Sequence, residues 1–451
     1  MARGAQKNFS QGYKKVCYTN LMETSKKLVL LVLMALMLVV LNSDGQVMAP
    51  TLAIIEKEFG VTDATVGVMM GLFTVLGAVV SLLWGYFADK ASRKLLFILS
   101  VLIGEIPCAL TALAPSWPVF FVLRILTGIG MGAAFPLVFS ILGDIFDERE
   151  RPWASAILTV SFGLGNIVGG VLGGYVGSSG NWRLPFVLAA LPNIPLVALF
   201  WFLVPEPKAA ASEEATRALV EAGLVYPKRI RLSDYTGLFS IKTNLNLLIQ
   251  GIAGTIPWGS FFFLQKFLNL NKGLSITDAT NVYLVFGLGM VVGTIVGGIW
   301  GGAVFRKKDA LLPFFCGITT FAGCALTLGV VLLPLPLWAL ILMGFSAAFF
   351  AAMTGPNMRT MLLDVNVPEH RGAVFSIFNL TDSLGTGFGR MVAGFISDLL
   401  GLMASLAISA SFWVFCGAVL LGTVSIFPRD RASCKKTLER VAEEMKAQAR
   451  S

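Results

Sequence analysis

Twelve apolar stretches of about twenty residues, separated by short polar breaks, constrain the fold of this chain more than any other feature. A helix needs about 20 apolar residues to cross the hydrocarbon core of a bilayer. The stretches lack the period-two alternation of a transmembrane barrel, so the sequence predicts an all-α membrane protein. The predicted spans are residues 27–50, 64–88, 95–114, 118–143, 152–176, 183–204, 244–268, 279–304, 310–333, 336–362, 372–398 and 403–427.

Lysine and arginine are distributed unevenly between the predicted loops. Alternate loops together with both termini hold 28 of the 35 basic residues, the other set of loops holds 4, and the remaining three lie inside spans. Because basic loops stay in the cytoplasm, both termini are predicted to be cytoplasmic, in a multi-pass protein of the cell (inner or plasma) membrane. The net charge of +9 therefore reflects topology, and we expect no nucleic-acid partner.

The first and second halves of the sequence resemble each other. Residues 71–85 align with residues 287–301 at an offset of 216, and a second match relates the fifth predicted span to the eleventh. Six spans per repeat give both copies the same orientation, with a solute path between them. The predicted divisions are an N-terminal cytoplasmic tail (1–26), a first six-helix bundle (27–204), a cytoplasmic linker (205–243), a second six-helix bundle (244–428) and a C-terminal cytoplasmic tail (429–451).

The loop after the second span, GYFADKASRK at residues 85–94, resembles the signature G-x-L-A-D-R-x-G-R-[KR] of the major facilitator superfamily. Phe87 and Ser92 depart from that signature, whereas its charged positions are kept. The resemblance implies a cytoplasmic latch that holds neighbouring helices together in one state and releases them in another. The predicted gate residues, including an Asp/Arg pair with the same spacing in each half, are Gly85, Asp89, Arg93, Lys94, Asp144, Arg151, Asp364 and Arg371.

The pattern N-x-D at residues 42–44, with R-x-x-x-G-x-G at residues 124–130, is most similar to spinster-like members of that superfamily. Met131 stands where those members usually carry Glu, and Gly165-Asn166 stands where drug–proton antiporters usually carry Gly-Pro. The resemblance covers residues 27–430. It implies two pseudo-symmetric six-helix bundles and a secondary transporter that works by alternating access.

Three charged residues inside predicted spans are interpreted as a proton-coupling set. An ionised side chain at mid-bilayer costs at least about 2.5 kcal/mol, so each needs a partner, water or a proton. We expect Asp44 to pair with Arg124 and, once protonated, to release the guanidinium for an anionic solute. Glu105 is predicted to be a second proton carrier. The alternatives are a permanent pair that only orients helices and a neutral structural carboxyl.

Other polar side chains within the spans are predicted to face the solute path. Glycine and proline nearby loosen several of these helices. Both signs of charge occur among apolar residues, which favours an amphipathic or anionic organic solute over a simple sugar. The predicted cavity residues are Asn42, Gln46, Gln250, Trp258, Asn357, Asn379, Asp382 and Arg390.

The remaining chemistry-bearing residues are sparse. His370 is the single histidine, the six cysteines lack metal-ligand spacing, and the sequence contains no phosphate-cradling loop. We therefore predict no enzyme activity, no metal and no cofactor. The expected partners are a small-molecule substrate, protons and the lipid bilayer, with the chain as a monomer. An uncoupled facilitator, a lipid or drug exporter and a membrane sensor remain open, as does the direction of transport.

Overall fold

The computed structural model describes residues 24–88, 91–146, 150–204 and 237–448, and these residues are almost entirely helical. The apolar stretches of the sequence form these helices because a helix satisfies every backbone hydrogen bond internally. The helices are α1 (Thr24–Ser43), α2 (Leu52–Phe59), α3 (Asp63–Ala88), α4 (Arg93–Thr111), α5 (Trp117–Ile145), α6 (Arg151–Val171), α7 (Leu184–Ala190), α8 (Asn193–Leu203), α9 (Lys242–Ser260), α10 (Leu264–Leu270), α11 (Ile276–Lys307), α12 (Leu311–Leu332), α13 (Leu337–Ala352), α14 (Thr354–Val365), α15 (Pro368–Leu400), α16 (Leu402–Thr423) and α17 (Phe427–Gln448).

Eleven segments within the described residues are long and apolar enough to cross a membrane. They confirm an all-α, multi-pass membrane protein. The predicted eleventh span forms α15, whose 33 residues would extend for about 50 Å. Asp382, Arg390 and Asp398 make α15 more polar than the other eleven segments. The total of twelve spans and the cytoplasmic position of both termini therefore stay predictions.

Several predicted spans are broken helices. The first was predicted to reach residue 50, but α1 ends at Ser43 and the chain continues through turns to a short 3-10 helix at Ala49–Thr51. Gly45 and Pro50 disfavour a continuous helix there. Similarly, the predicted tenth span divides into α13 and α14 just before Gly355-Pro356. Each break leaves backbone carbonyl groups inside the bundle for other partners.

Corresponding helices have corresponding neighbours in the two parts of the chain. In residues 24–204, α1 packs on α6, and α5 packs on both α3 and α4. In residues 237–448, α9 packs on α15, and α13 packs on both α11 and α12. We call these two ranges the N-terminal half and the C-terminal half. Their division into two six-helix bundles, and the linker at residues 205–236, which lies outside the described residues, remain our proposal.

Small residues allow helices to approach closely within and between the halves. A methyl group on Gly132 of α5 would lie 2.0 Å from the carbonyl oxygen of Gly77 in α3. Across the halves, a methyl group on Gly67 of α3 would lie 2.5 Å from the carbonyl oxygen of Arg390 in α15. We call the end of the bundle where α1 begins the tail side, and the opposite end, where α2 lies, the far side. The halves therefore pack tightly toward the far side.

The described part of the C-terminal tail is helical. α17 begins at Phe427 and continues to Gln448. The first residues of the chain, 1–23, and the last three, 449–451, lie outside the described residues.

Candidate functional site

Asp44 and Arg124 meet at the break after α1. Because α1 ends at Ser43, the carbonyl groups near its end lack helical donors. The Nη2 atom of Arg124 donates a hydrogen bond of 2.6 Å to the carbonyl oxygen of Asp44, and both residues are fully buried. Both carboxylate oxygens of Asp44 are without a hydrogen-bond partner among the described residues. The structure thus brings the two predicted residues together through the backbone rather than through the carboxylate.

Aromatic rings, rather than an ion pair, surround the Arg124 guanidinium. Its Cζ atom lies 5.1 Å from the centre of the Phe73 ring and 5.4 Å from that of Phe186. Its Nη1 atom lies 3.8 Å from the Cys108 sulfur. A cation over an aromatic face is stabilised by the ring quadrupole, and the contribution is larger in a dry site. Ring and backbone contacts, rather than a hydrogen-bonded ion pair, therefore hold this side chain in place.

Glu105 lies in the same buried cluster as Asp44. The Asn193 amide donates hydrogen bonds to Glu105 Oε1 and, over 3.1 Å, to the carbonyl oxygen of Met37. The Oε2 atom of Glu105 has no hydrogen-bond partner among the described residues. Glu105 and Asp44 are close enough to interact electrostatically. Two carboxyl groups and one guanidinium therefore share one water-poor site in the N-terminal half.

Arg390 of α15, in the C-terminal half, contacts α3 of the N-terminal half. Its Nη1 atom donates to the Met70 carbonyl oxygen over 3.1 Å and to Thr74 Oγ1 over 2.6 Å. Its Nε atom is buried without a partner, and none of its hydrogen bonds to described residues reaches a carboxylate. Arg390 also lies close enough to Arg124 to repel it electrostatically. Two guanidinium groups thus flank α3, one from each half.

Aromatic side chains surround the next predicted cavity residue, Trp258. Its ring lies 5.7 Å from Phe261, 6.0 Å from Phe286 and 5.5 Å from Trp413, all between centroids. Trp258 itself is only partly buried. The side chain therefore presents part of its surface while the other rings fix its orientation.

The two remaining predicted residues of α15 differ in their surroundings. Asp382 is partly buried beside Gly251 and interacts electrostatically with Arg359. Asn379 is exposed. The structure therefore does not bring Asp382 and Arg390 together as a pair.

Three predicted cavity amides differ in how far their side chains are hydrogen-bonded. Asn42 donates to the Leu38 carbonyl oxygen over 2.9 Å, one turn back in α1. Asn357 donates to the carbonyl oxygens of Gly297 and Met353 over 2.9 and 2.8 Å, joining α11 to the break before α14. Gln250 is buried, and its Oε1 atom lacks a partner among the described residues. Of these three, Gln250 retains hydrogen-bonding capacity that packing leaves unused.

Gln46 lies where the two halves meet on the far side. Its Nε2 atom is 3.4 Å from Gln265 Oε1 of α10, and Gln265 in turn donates to Thr280 over 3.2 Å. The contact places this predicted cavity residue at the interface between the two halves.

The predicted gate residues lie at the tail side of the helices. Lys94 donates to the Trp201 carbonyl oxygen over 2.7 Å, a tie within the N-terminal half. Arg371 donates to the Asn366 carbonyl oxygen over 3.3 Å. Arg93 begins α4, and Gly85 lies within α3 near its end. Asp89 and the side chains of Asp144 and Arg151 lie outside the described residues.

Arg431 of α17 forms two ion pairs on the tail side of the C-terminal half. It pairs with Asp309 at 2.7 Å and with Asp364 at 3.1 Å. The hydrogen bond from Arg431 to Asp309 raises the pKa of the guanidinium above its usual value. Together with Arg371, these residues line a cavity of about 430 Å³. The predicted gate residue Asp364 is thus tied to the C-terminal helix.

Sequence reasoning missed several residues of the central cluster. Asn193 is a polar residue between two prolines in an apolar span, and that isolation is a usable signal. Cys108 lies three residues after Glu105, on the same face of α4, and that spacing is a usable signal. Thr74 carries no signal in the sequence, because its partner Arg390 lies in the other half.

Comparison with known proteins agrees with this architecture. The family model described as "Major Facilitator Superfamily" matches residues 32–349 and 314–447. A gallate transporter of Pseudomonas putida is 25% identical over 82% of this chain and 86% of its own length. Protein spinster homolog 3 of mouse is 24% identical over 82% of this chain and 76% of its own length.

Solved structures give the same result for the fold. A bacterial homologue of the human lysosomal transporter spinster, in an inward-facing and unoccupied conformation, has a TM-score of 0.80 at 19% identity. The match covers 91% of this chain and 99% of that structure. The predicted resemblance to the superfamily, and to its spinster-like members, is confirmed. The chain belongs to the Major Facilitator Superfamily and is a multi-pass membrane transporter rather than an enzyme.

Proposed function

We propose that this protein transports a small organic anion together with protons, by alternating access between the two halves. The observation that carries the proposal is the pair of guanidinium groups, Arg124 and Arg390, on either side of α3. Neither donates a hydrogen bond to a carboxylate of a described residue. The two like charges repel each other, and an anion bound between them would lower that cost.

Arg390 is the group that we expect to bind the solute first. It is partly exposed, whereas Arg124 is fully buried. The planar guanidinium can bind a carboxylate through two parallel hydrogen bonds, and Nε, one of the donors needed, is unused. Trp258 supplies a partly buried aromatic surface in the same half. This combination favours a carboxylate that carries an apolar or aromatic body.

Proton coupling is assigned to Asp44 and Glu105. Two carboxylates and one guanidinium carry a net charge of −1, and a single proton on either carboxyl neutralises the set. A neutral set is the less costly state in a site without water. When an anion binds near Arg124 and Arg390, the local positive charge falls, and retention of a proton by the carboxyl pair becomes more favourable. Solute and proton are therefore expected to bind together.

The relatives support this class of solute. The Pseudomonas putida protein that this chain resembles is named for gallate, which is an aromatic carboxylate. We extend only the class to this chain, not that compound. We also propose a cell-membrane location with cytoplasmic termini, on the basis of the loop charges, and a monomeric transporter.

The test is uptake into proteoliposomes that contain the purified protein. A panel of radiolabelled aromatic and aliphatic carboxylates, with neutral sugars as comparison, is offered at pH 5.5 outside and 7.5 inside. We expect accumulation of at least one carboxylate, reduced by a protonophore. Asp44→Asn should abolish accumulation driven by the proton gradient while exchange of labelled for unlabelled solute continues.

A matched pair of arginine substitutions tests the anion site. Arg390→Lys keeps the charge but removes the planar fork, so we expect the apparent KM for the carboxylate to rise at least tenfold. Arg183→Lys, at an exposed pair with Glu58 on the far side, should leave KM unchanged. Equal uptake with and without the proton gradient would contradict coupling. Unchanged KM in Arg390→Lys would contradict the anion site.

A further inference from the structure

A buried ionic cluster on the far side joins the two halves, separately from the central site. Lys266 of α10 contacts Glu56 of α2 and lies 2.6 Å from Asp63 Oδ1 at the start of α3. Ser397 of α15 donates to Asp63 Oδ2 over 2.7 Å. We call Glu56, Asp63, Lys266 and Ser397 the far-side cluster. The lysine and both carboxyl groups are each more than nine-tenths buried.

The two carboxyl groups of the cluster differ in how many of their oxygens accept a hydrogen bond. Asp63 accepts from Lys266 and Ser397, and it lies in the first turn of α3, where the helix dipole favours a negative charge. Glu56 contacts Lys266 through Oε2 only, and its buried Oε1 has no partner among the described residues. With one ammonium and two carboxyls, the cluster is neutral only if it holds one proton. That proton would bind at Glu56 Oε1, the carboxyl oxygen that has no hydrogen-bond partner in the described part of the chain.

We propose that Glu56 is a proton-binding site that forms only when the far side is closed, so that closing the far side takes up a proton from the far-side medium. Opening would separate Lys266 from both carboxyls and expose Glu56 to water, and the proton would leave to that same medium. The proton at Glu56 therefore does not cross the membrane with the solute. It makes the balance between the open and closed far side respond to pH.

The electrostatics of the closed state support this assignment. Burial, together with the repulsion from the nearby Asp63 carboxylate, raises the pKa of Glu56 from 4.5 to about 8. In an open, hydrated far side the pKa would return to about 4.3. The closed state thus binds more protons between those two values. Closure is fully favoured below about pH 4.3 and loses its advantage as the pH rises toward 8.

Other charged groups at this end have their own partners or face solvent. Glu58, two residues from Glu56, pairs with Arg183 at 2.6 Å within the N-terminal half. The hydrogen bond from Trp182 lowers the pKa of Glu58. Asp398 of α15 accepts from the Ala64 backbone N–H over 3.2 Å. The charged groups on the elements around the cluster are Lys57, Glu58, Asp63, Arg183, Lys266 and Asp398.

The experiment measures far-side closure directly, without any solute. Spin labels are placed at Ser178→Cys and Asn271→Cys, one in each half, with Cys17 and Cys434 changed to serine. Distances are measured by pulsed electron resonance in lipid nanodiscs from pH 5 to pH 9. We expect the short-distance population to dominate at pH 5 and the closed-to-open ratio to fall as the pH rises, by at most tenfold per unit.

Three variants test whether the pH response of far-side closure comes from Glu56. Glu56→Gln imitates the protonated residue and should keep the far side closed at every pH. Glu58→Gln, a carboxyl one half-turn away, should respond to pH as the parent does. Asp278→Asn, at a far-side carboxyl outside the cluster, should also keep the parent response.

Several outcomes would overturn the proposal. One is a parent distribution that does not change with pH, and another is a Glu56→Gln protein that still titrates as the parent does. An open far side in Glu56→Gln at every pH would place the proton on Asp63 instead. Infrared difference spectra give an independent reading, because the carbonyl stretch of a protonated acid should appear on acidification in the parent and be absent in Glu56→Gln.

Discussion

The charge state of Asp44 can be measured through its coupling to Arg124. Arg124→Ala removes the hydrogen bond to the Asp44 carbonyl oxygen and the contacts with the Phe73 and Phe186 rings. It also leaves the buried carboxyls without their cation. Removing one member of a buried charged set typically costs about 3–5 kcal/mol, and we expect a loss of unfolding free energy in that range.

The double variant, Asp44→Asn with Arg124→Ala, measures the interaction of the Asp44 side-chain charge with the guanidinium. Because Arg124 donates to the backbone of Asp44, Asp44→Asn leaves that hydrogen bond intact and changes only the side-chain charge. If we take roughly 6 Å as an illustrative separation and about 20 as the effective dielectric constant, an ionised Asp44 would interact with the guanidinium by roughly 3 kcal/mol. A protonated Asp44 would contribute almost nothing. The coupling energy therefore distinguishes the two states.

We expect a coupling energy of about 3 kcal/mol at pH 8 and a smaller one at pH 5, because acid favours the protonated carboxyl. Reversible unfolding in bicelles, with all four proteins at both pH values, gives the cycle. Asp278→Asn, on the far side of the other half, replaces Asp44→Asn in the control cycle and should show no coupling. A coupling below about 0.5 kcal/mol at both pH values would refute the reasoning, because Asp44 would then never carry the charge that the proposed mechanism requires.

Two further predictions concern packing and the C-terminal helix. Gly132→Ala should destabilise the protein by about 1–3 kcal/mol in the same assay, because the added methyl would lie 2.0 Å from the Gly77 carbonyl oxygen. Gly163→Ala, which faces open space, should change stability by less than about 1 kcal/mol. Arg431→Gln should cost at most about 1 kcal/mol, since its pair with Asp309 is partly exposed. It should nevertheless speed proteolysis of α17, and unchanged digestion would show that other contacts hold that helix.

The fold was predictable because the length of an apolar stretch is a local property of the sequence. Eleven segments long enough to span are found near predicted positions, and the recurring neighbours of α5 and α13 agree with the repeat. Helix ends inside the bundle were less predictable. The end of α1 at Ser43 depends on Gly45 and on Arg124, which supplies a donor from a distant helix.

The candidate site was predictable only in part. Asp44, Glu105 and Arg124 were identifiable because a charge in an apolar span needs a reason to be there. Their partners were not, since Asn193 and Thr74 have ordinary polarity and gain their roles from helices far away in the sequence. Lys266 was counted as a loop charge, because it lies at the end of a span. Its burial exists only where the two halves meet.

The distribution of ties between the halves indicates which contacts must break for the far side to open and what must supply the energy. The Lys94 and Arg431 ties on the tail side each lie within one half, whereas Lys266 connects the halves on the far side. Opening would break these contacts and return the charged groups to water, so its cost is the net difference between the lost contacts and the regained hydration. A solute that binds at Arg390 opens the far side only through its differential affinity for the open state. Loss of the proton at Glu56 lowers the cost that this affinity must offset, so the far side should open most readily in an alkaline medium.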